Sequence, residues 1–212
     1  MQSLSSFRQA PSNIAVGIEI EGICSEKRIP WHDGGSYRGF FYITTDGSLS
    51  TYTSPSETKE HFYREREWVS QPLTPSWLKK ELKKFGEKTE YITNDSCGIH
   101  IHISREWCTI KRAKEIYAFY CGLSEQDRKY LFGRYSNDYC RTLSFGVTRY
   151  NAVNVENKNT VELRFFASGD WQWACYCVDM ATWLVHNAKH LNVDAAYAEA
   201  DRLRKVHSIC TP

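Results

Sequence analysis

"CGIHIHIS", residues 97–104, decides how the rest of the chain is read. Its isoleucines alternate with polar residues at a period of two, the pattern of a strand with one apolar and one polar face. Ile99, Ile101 and Ile103 share one face, and His100 and His102 share the other. Two further segments divide the same way. In "IAVGIEIEGI" (14–23), Glu19 and Glu21 lie opposite Ile18 and Ile20. In "TVELRF" (160–165), Glu162 and Arg164 lie opposite Val161 and Leu163.

Any one of these pairs taken alone suits the solvated face of an antiparallel sheet. Together they are two carboxylates, two imidazoles, and a carboxylate with a guanidinium. Lys and Thr, the usual dressing of a solvated strand, are nearly absent from these positions. Placed in one sheet, the three strands bring acidic and imidazole groups together. That is the ligand chemistry of Mg²⁺ or Mn²⁺, with imidazole better tolerated by Mn²⁺. Glu67 in "REWVSQP" offers another carboxylate, but Glu65 and Val69 alternate with it and leave its face open. Asp46 of "TTDGS" suits a turn.

Working outward, 24–39 and 51–65 read as loops, with a strand between them running into an Asp46–Gly47 turn. A short strand ends at Pro72, and "TPSWLKKELKKFGEK" follows as a helix that Thr74 or Ser76 can cap. After the 97–104 strand come two helices, the second capped by Ser124. "RYNAVNVENKNTVELRFF" (149–166) reads as two strands joined at a Glu156–Asn159 turn. A long apolar helix starts near Trp171, and an Ala- and charge-rich helix closes the chain. No βαβ repeat is present, so the expected fold is α+β: a curved, mainly antiparallel sheet backed by helices. One domain is expected over 1–212, with a polar lead-in at 1–12 and a C-terminal helix and tail at 191–212.

Of the 212 residues, 42% are hydrophobic, enough for a substantial core. The net charge of +2 is not the basic footprint of a nucleic-acid binder, so charge does not predict nucleic acid as a partner. No apolar run of signal-peptide or membrane-spanning length is seen. A cytoplasmic location is therefore expected, with the eight cysteines reduced and used as small apolar residues. Cys97 with His100 and His102 raises the question of zinc. In a regular strand, however, Cys97 falls on the opposite face, and no second Cys or His pair has zinc-site spacing. Trp171 and Trp173 suit packing of a helix start.

The segments "GIEIE" (17–21), "DGSL" (46–49), "EWVSQPL" (67–73), "CGIHIH" (97–102) and 149–166, in this order, resemble the amidoligase family. That family is related in fold to glutamine synthetase and glutamate–cysteine ligase. The resemblance implies a glutamine-synthetase-like catalytic domain that joins a carboxylate to an amine. ATP would phosphorylate the carboxylate, and the amine would displace phosphate from the acyl phosphate. It implies Glu19, Glu21, Glu67, one or both of His100 and His102, and Glu162 as ligands for Mg²⁺ or Mn²⁺. It implies Arg164 as a phosphate clamp, Arg134 and Arg149 as arginines for phosphate or substrate carboxylate, and Asn154 as a substrate-orienting amide; for Asn151 as for Asn154 a structural role stays open beside a functional one. The donor and acceptor stay open: amino acid, peptide, protein or modified base. Two other readings remain, a metal-dependent phosphotransferase on the same scaffold and a non-catalytic metal-binding module.

Overall fold

The computed structural model describes residues 14–25, 36–37, 41–44, 63–138, 140–146 and 148–209. The lead-in, the Asp46–Gly47 turn and most of the two segments read as loops lie outside them.

Among the described residues seven strands form one sheet: β1 (Val16–Ser25), β2 (Ser36–Tyr37), β3 (Phe41–Thr44), β4 (Tyr63–Ser70), β5 (Gly98–Ser104), β6 (Val153–Asn154) and β7 (Thr160–Ala167). Their spatial order is β2-β3-β4-β1-β5-β7-β6, and every neighbouring pair is antiparallel. Among the described residues five α-helices accompany it: α1 (Pro75–Gly86), α2 (Ile110–Gly122), α3 (Glu125–Phe132), α4 (Trp171–Asn187) and α5 (Val193–His207). The α+β expectation holds.

Register explains why the three two-faced segments sit side by side. Ile18 pairs with Ile101, Ile20 with Ile99 and Val16 with Ile103. Ile103 pairs in turn with Val161, and Ile101 with Leu163. All these side chains are fully buried. A slip of one residue would turn every one of them to the polar face, so the apolar ladder fixes the pairing. α4 packs against this ladder and against α1, α2 and α5, which is why it is apolar on almost every side. Cys175 and Cys177 are both buried in it. Of the described cysteines only Cys121 is half-buried, and none is in a disulfide.

Two boundaries differ from the sequence expectation. β1 runs to Ser25 and β2 occupies Ser36–Tyr37, both inside the segment read as a loop. β4 begins at Tyr63, inside the second such segment. Pairing supplies the reason: Ser25 stands opposite Tyr63, so each strand end is held by the other despite polar composition. Thr74 takes the N-cap position of α1, but its hydroxyl lies 3.3 Å from Ser76 Oγ and makes no cap bond. Ser124 caps α3 as expected, in a reciprocal box with Asp127.

β7 departs from strict alternation. Ile99 pairs with Phe166 and Ile101 with Leu163, so Arg164 and Phe165 together oppose His100. This is a β-bulge. It lets Phe165 and Phe166 both enter the core while Arg164 stays on the polar side. Phe165 stacks on Tyr120 of α2 at 4.9 Å.

On the helical side, Asp179 of α4 joins three helices. Lys79 of α1 donates to both its oxygens at 2.7 Å, and His207 of α5 lies 2.9 Å from Oδ2. Burial raises the Asp179 pKa, but the bonds to His207 and Lys79 outweigh it and hold the carboxyl below its ordinary value. A lowered folded-state pKa stabilises above the unfolded-state value, about 3.9, and that stabilisation is lost as pH falls through the folded-state value. Asp179→Asn is expected to cost about 2 kcal/mol at neutral pH and to flatten the acid limb of stability. Urea unfolding from pH 2 to 7 checks both; an acid limb as steep as in the wild type would contradict the assignment.

Candidate metal and anion site

The polar face of the sheet collects one side chain after another from neighbouring strands. Glu67 of β4 stands opposite Glu21 of β1, Glu19 opposite His100 of β5, and His102 opposite Glu162 of β7. Asn154 of β6 completes the row opposite Glu162. The open face of Glu67 is thereby settled. Trp68 is buried towards the helices with Arg66 and Ser70, and Glu67 with Val69 takes the other side.

Contacts are close. Glu19 Oε2 lies 3.0 Å from His100 Nδ1, and Glu19 Oε1 lies 2.8 Å from His102 Nε2. Glu162 Oε1 is 3.4 Å from His100 Nδ1 and is ion-paired to Arg164. Asn154 Nδ2 donates to Glu162 Oε2 at 2.7 Å. The Gly98 N–H donates to Glu21 Oε2 at 2.6 Å, while Glu21 Oε1 lies 3.4 Å from His100 Nε2. Burial pushes the Glu19 carboxyl up, but hydrogen bonds and charge from His100 and His102 overcome it and hold the group well below the usual carboxylate range. Burial pushes His102 down, yet its bond to Glu19 and the charges of Glu19 and Glu162 leave it raised.

Two ligand groups emerge, Glu19–Glu67–His100 and Glu19–His102–Glu162, each with ligand atoms within 4.8 Å of one another. Trans oxygens around Mg²⁺ stand about 4.2 Å apart, so a slight contraction would close either group on a cation. The donor set is carboxylate-rich with one imidazole per group, which suits Mg²⁺ or Mn²⁺. Glu19 belongs to both groups. Glu21 and Glu67, like charges directly opposite on adjacent strands, repel unless positive charge lies between or near them.

The other candidates are placed as follows. Glu21 stands outside both groups and is anchored by the Gly98 amide. Asn154 holds Glu162, which places it on a side chain of the chain itself. Asn151 is buried and donates to the Ser144 carbonyl at 2.9 Å, fixing its own loop. Arg149 lies on an exposed turn with its guanidinium over the Tyr150 ring at 4.8 Å. Arg134 is buried directly after Gly133, whose φ of 79° turns the chain back at the end of α3. Trp171 and Trp173 pack the start of α4; Trp173 stacks on Tyr176 and donates to the Ala167 carbonyl. Cys97 corrects an expectation. It precedes β5, so strand alternation does not govern it, and it packs with Ile23 in a cluster apart from the main core. It belongs to neither ligand group.

Gly98 was missed from the sequence, although glycine inside a strand pattern signals close approach. A Cβ there would meet Arg134 Nη1 at 2.5 Å and both Glu21 Oε2 and His100 Nε2 at 3.3 Å. Its bare backbone lets three charged or polar groups converge.

What these features define is an antiparallel sheet whose polar face carries two carboxylate–imidazole groups that share Glu19 and could hold a metal ion, with Arg164 beside one of them. No protein-family model matches the chain, and no curated protein does either. Among the described residues no helix is long and apolar enough to cross a membrane.

Proposed function

We propose that the chain is an ATP-dependent carboxylate–amine ligase with a glutamine-synthetase-like fold, forming ADP. The observation that supports the reading is the sharing of Glu19 between two carboxylate–imidazole groups. Bound Mg²⁺ or Mn²⁺ would supply the positive charge that a triphosphate and a transferring phosphoryl group require. Glu19, Glu67 and His100 would hold one cation, and Glu19, His102 and Glu162 the other. Asn154 and Arg164 grip the two oxygens of Glu162 and fix its orientation before any ligand arrives. Their role is that of outer partners that aim a metal-binding carboxylate. In the proposed reaction a substrate carboxylate oxygen attacks the γ-phosphorus and ADP leaves. The amine nitrogen then attacks the acyl carbon, the C–O bond to phosphate breaks, and the nitrogen gives up a proton.

The test is ADP release by purified protein with Mg²⁺ or Mn²⁺ across a panel of carboxylates and amines. ADP formation that requires both substrates, and stops with EDTA, is expected. Failure to bind ATP with either cation would overturn the reading. ADP release with a stable phosphorylated product and no amide would reassign the protein as a phosphotransferase.

A further inference from the structure

We propose that Tyr42 and Val69 form an apolar subsite beside the Glu19–Glu67–His100 group, which receives the apolar or aromatic side chain of a carboxylate held by the cation there. In β3, Phe41 and Ile43 are buried in the core, so Tyr42 and Thr44 face the polar side of the sheet. Tyr42 stands opposite Val69 of β4, Val69 opposite Glu19 of β1, and Glu19 opposite His100 of β5. These four residues make one row across adjacent strands. In the next row Thr44 stands opposite Glu67, and Glu67 opposite Glu21. Val69 is thus the cross-strand neighbour of one cation ligand, Glu19, and lies two residues beyond another, Glu67, on the same face.

Tyr42 is 46% exposed, and among the described residues it is the one exposed large hydrophobic side chain that lies in a strand; the others are on helices or between elements. Val69 is half-buried. Around Glu19 this face carries carboxylates and imidazoles, so Val69 and Tyr42 mark a change of chemistry directly at the edge of the cation group. Cross-strand packing of an aromatic on a β-branched residue steadies a sheet. Here it leaves nearly half of Tyr42 uncovered, on the side that carries the cation ligands. Spacing defines what fits. Neighbouring strands lie about 4.8 Å apart, which sets Val69 about 5 Å and Tyr42 about 10 Å from Glu19 along the row. A carboxylate on the cation therefore places a group a few bonds further on above Val69 and against the Tyr42 ring. A nucleobase fits less well, because the sugar and phosphates between it and a cation carry it past Val69. Taking about 60 Å² of apolar surface out of water raises affinity about tenfold. The subsite deepens the proposed ligase: it rests on that reading for what becomes of the bound carboxylate, and on the cation group and strand register for binding.

Phenylacetate and acetate are the probes, titrated against the Mn²⁺-loaded protein without nucleotide. The readout is the Mn²⁺-induced broadening of their proton signals, which falls steeply with distance and so does not respond to phenylacetate bound elsewhere on the surface. The wild type is expected to bind phenylacetate about tenfold tighter than acetate. In Tyr42→Ala the two should come within about twofold of each other, and Tyr42→Phe should restore the preference. A ring that merely steadies β3 would change Tm in Tyr42→Ala and leave the ratio of the two acids where it was. Val69→Thr, nearly the same shape but with a hydroxyl in the floor, is expected to weaken phenylacetate selectively and serves if Tyr42→Ala unfolds. Equal affinity for the two acids in the wild type, or a preference that survives Tyr42→Ala, would overturn the subsite. So would a protein that takes up no Mn²⁺, since the cation group would go with it. ADP binding about tenfold tighter than pyrophosphate to the Mn²⁺-loaded protein, with that margin lost in Tyr42→Ala, would overturn the assignment to a carboxylate side chain in favour of a stacked base. A phenylacetate preference in a protein that never binds ATP would uphold the subsite and remove the ligase.

Discussion

Glu19→Ala is expected to lower Mn²⁺ affinity by about 100-fold or more, and to do so for both cations together. Loss of an outer partner of a metal ligand commonly costs 10–100-fold, and Glu19 is a candidate ligand in both groups. Glu67→Gln and Glu162→Gln each touch one group, so each should remove one binding event and leave the other. Calorimetry or Mn²⁺ electron paramagnetic resonance reads affinity and stoichiometry directly. The fold should survive Glu19→Ala. His100 keeps Glu21 at 3.4 Å and Glu162 at 3.4 Å as acidic neighbours, and the Ile18–Ile101 and Ile20–Ile99 pairs behind Glu19 are untouched. Nucleotide affinity measured with Mg²⁺ should fall in parallel if the cations carry the triphosphate. Equal Mn²⁺ binding by wild type and Glu19→Ala would remove Glu19 as a ligand.

The distribution of what was legible follows from how each feature is encoded. Ile18, Ile20, Ile99, Ile101, Val161 and Leu163 specify strand, face and partner at once, because a buried face admits a single register. Glu19, His100, His102 and Glu162 inherit their places from those neighbours, and for that reason their meeting on one face of the sheet is legible in the sequence. Glu67 was ambiguous, since Glu65 and Val69 share its parity. What decides it is Trp68, whose ring must go inside, and composition alone does not weigh one large ring against two charges. The bulge at Arg164–Phe165 is a pairing event between β5 and β7, and "RFF" by itself gives no sign of it. Arg134 lies outside any periodic segment. Its burial depends on the turn at Gly133 and on the space left by Gly98, two glycines about 35 residues apart in the chain. Short-range pattern reading has no access to that kind of information.

Trp68→Ala is expected to have the largest effect on stability. Trp68 is 2% exposed and stands opposite Ile20. Its ring meets Phe85 of α1 edge-on at 5.7 Å and Tyr91 at 5.1 Å. Gly22 of β1 makes room for this packing: a Cβ there would come 3.1 Å from the Trp68 ring and 2.7 Å from Tyr91. With a glycine on one side and aromatic rings on the other, little can move in to fill the void. Truncating a buried Trp costs about 3–5 kcal/mol. At roughly 2–4 °C per kcal/mol for a chain of this size, Tm should fall by about 6–20 °C. Trp68→Phe, which keeps most of the ring contact, should lose much less. The consequence reaches the polar face because Glu67 is the next residue, and its aim depends on Trp68 staying inside. Mn²⁺ should therefore bind the Glu19–Glu67–His100 group more weakly in Trp68→Ala while the Glu19–His102–Glu162 group is little changed. A Tm drop below about 3 °C would show that the ring is not what seats β4. A large drop with both cation affinities intact would show instead that Glu67 is aimed by its backbone pairing with Glu21.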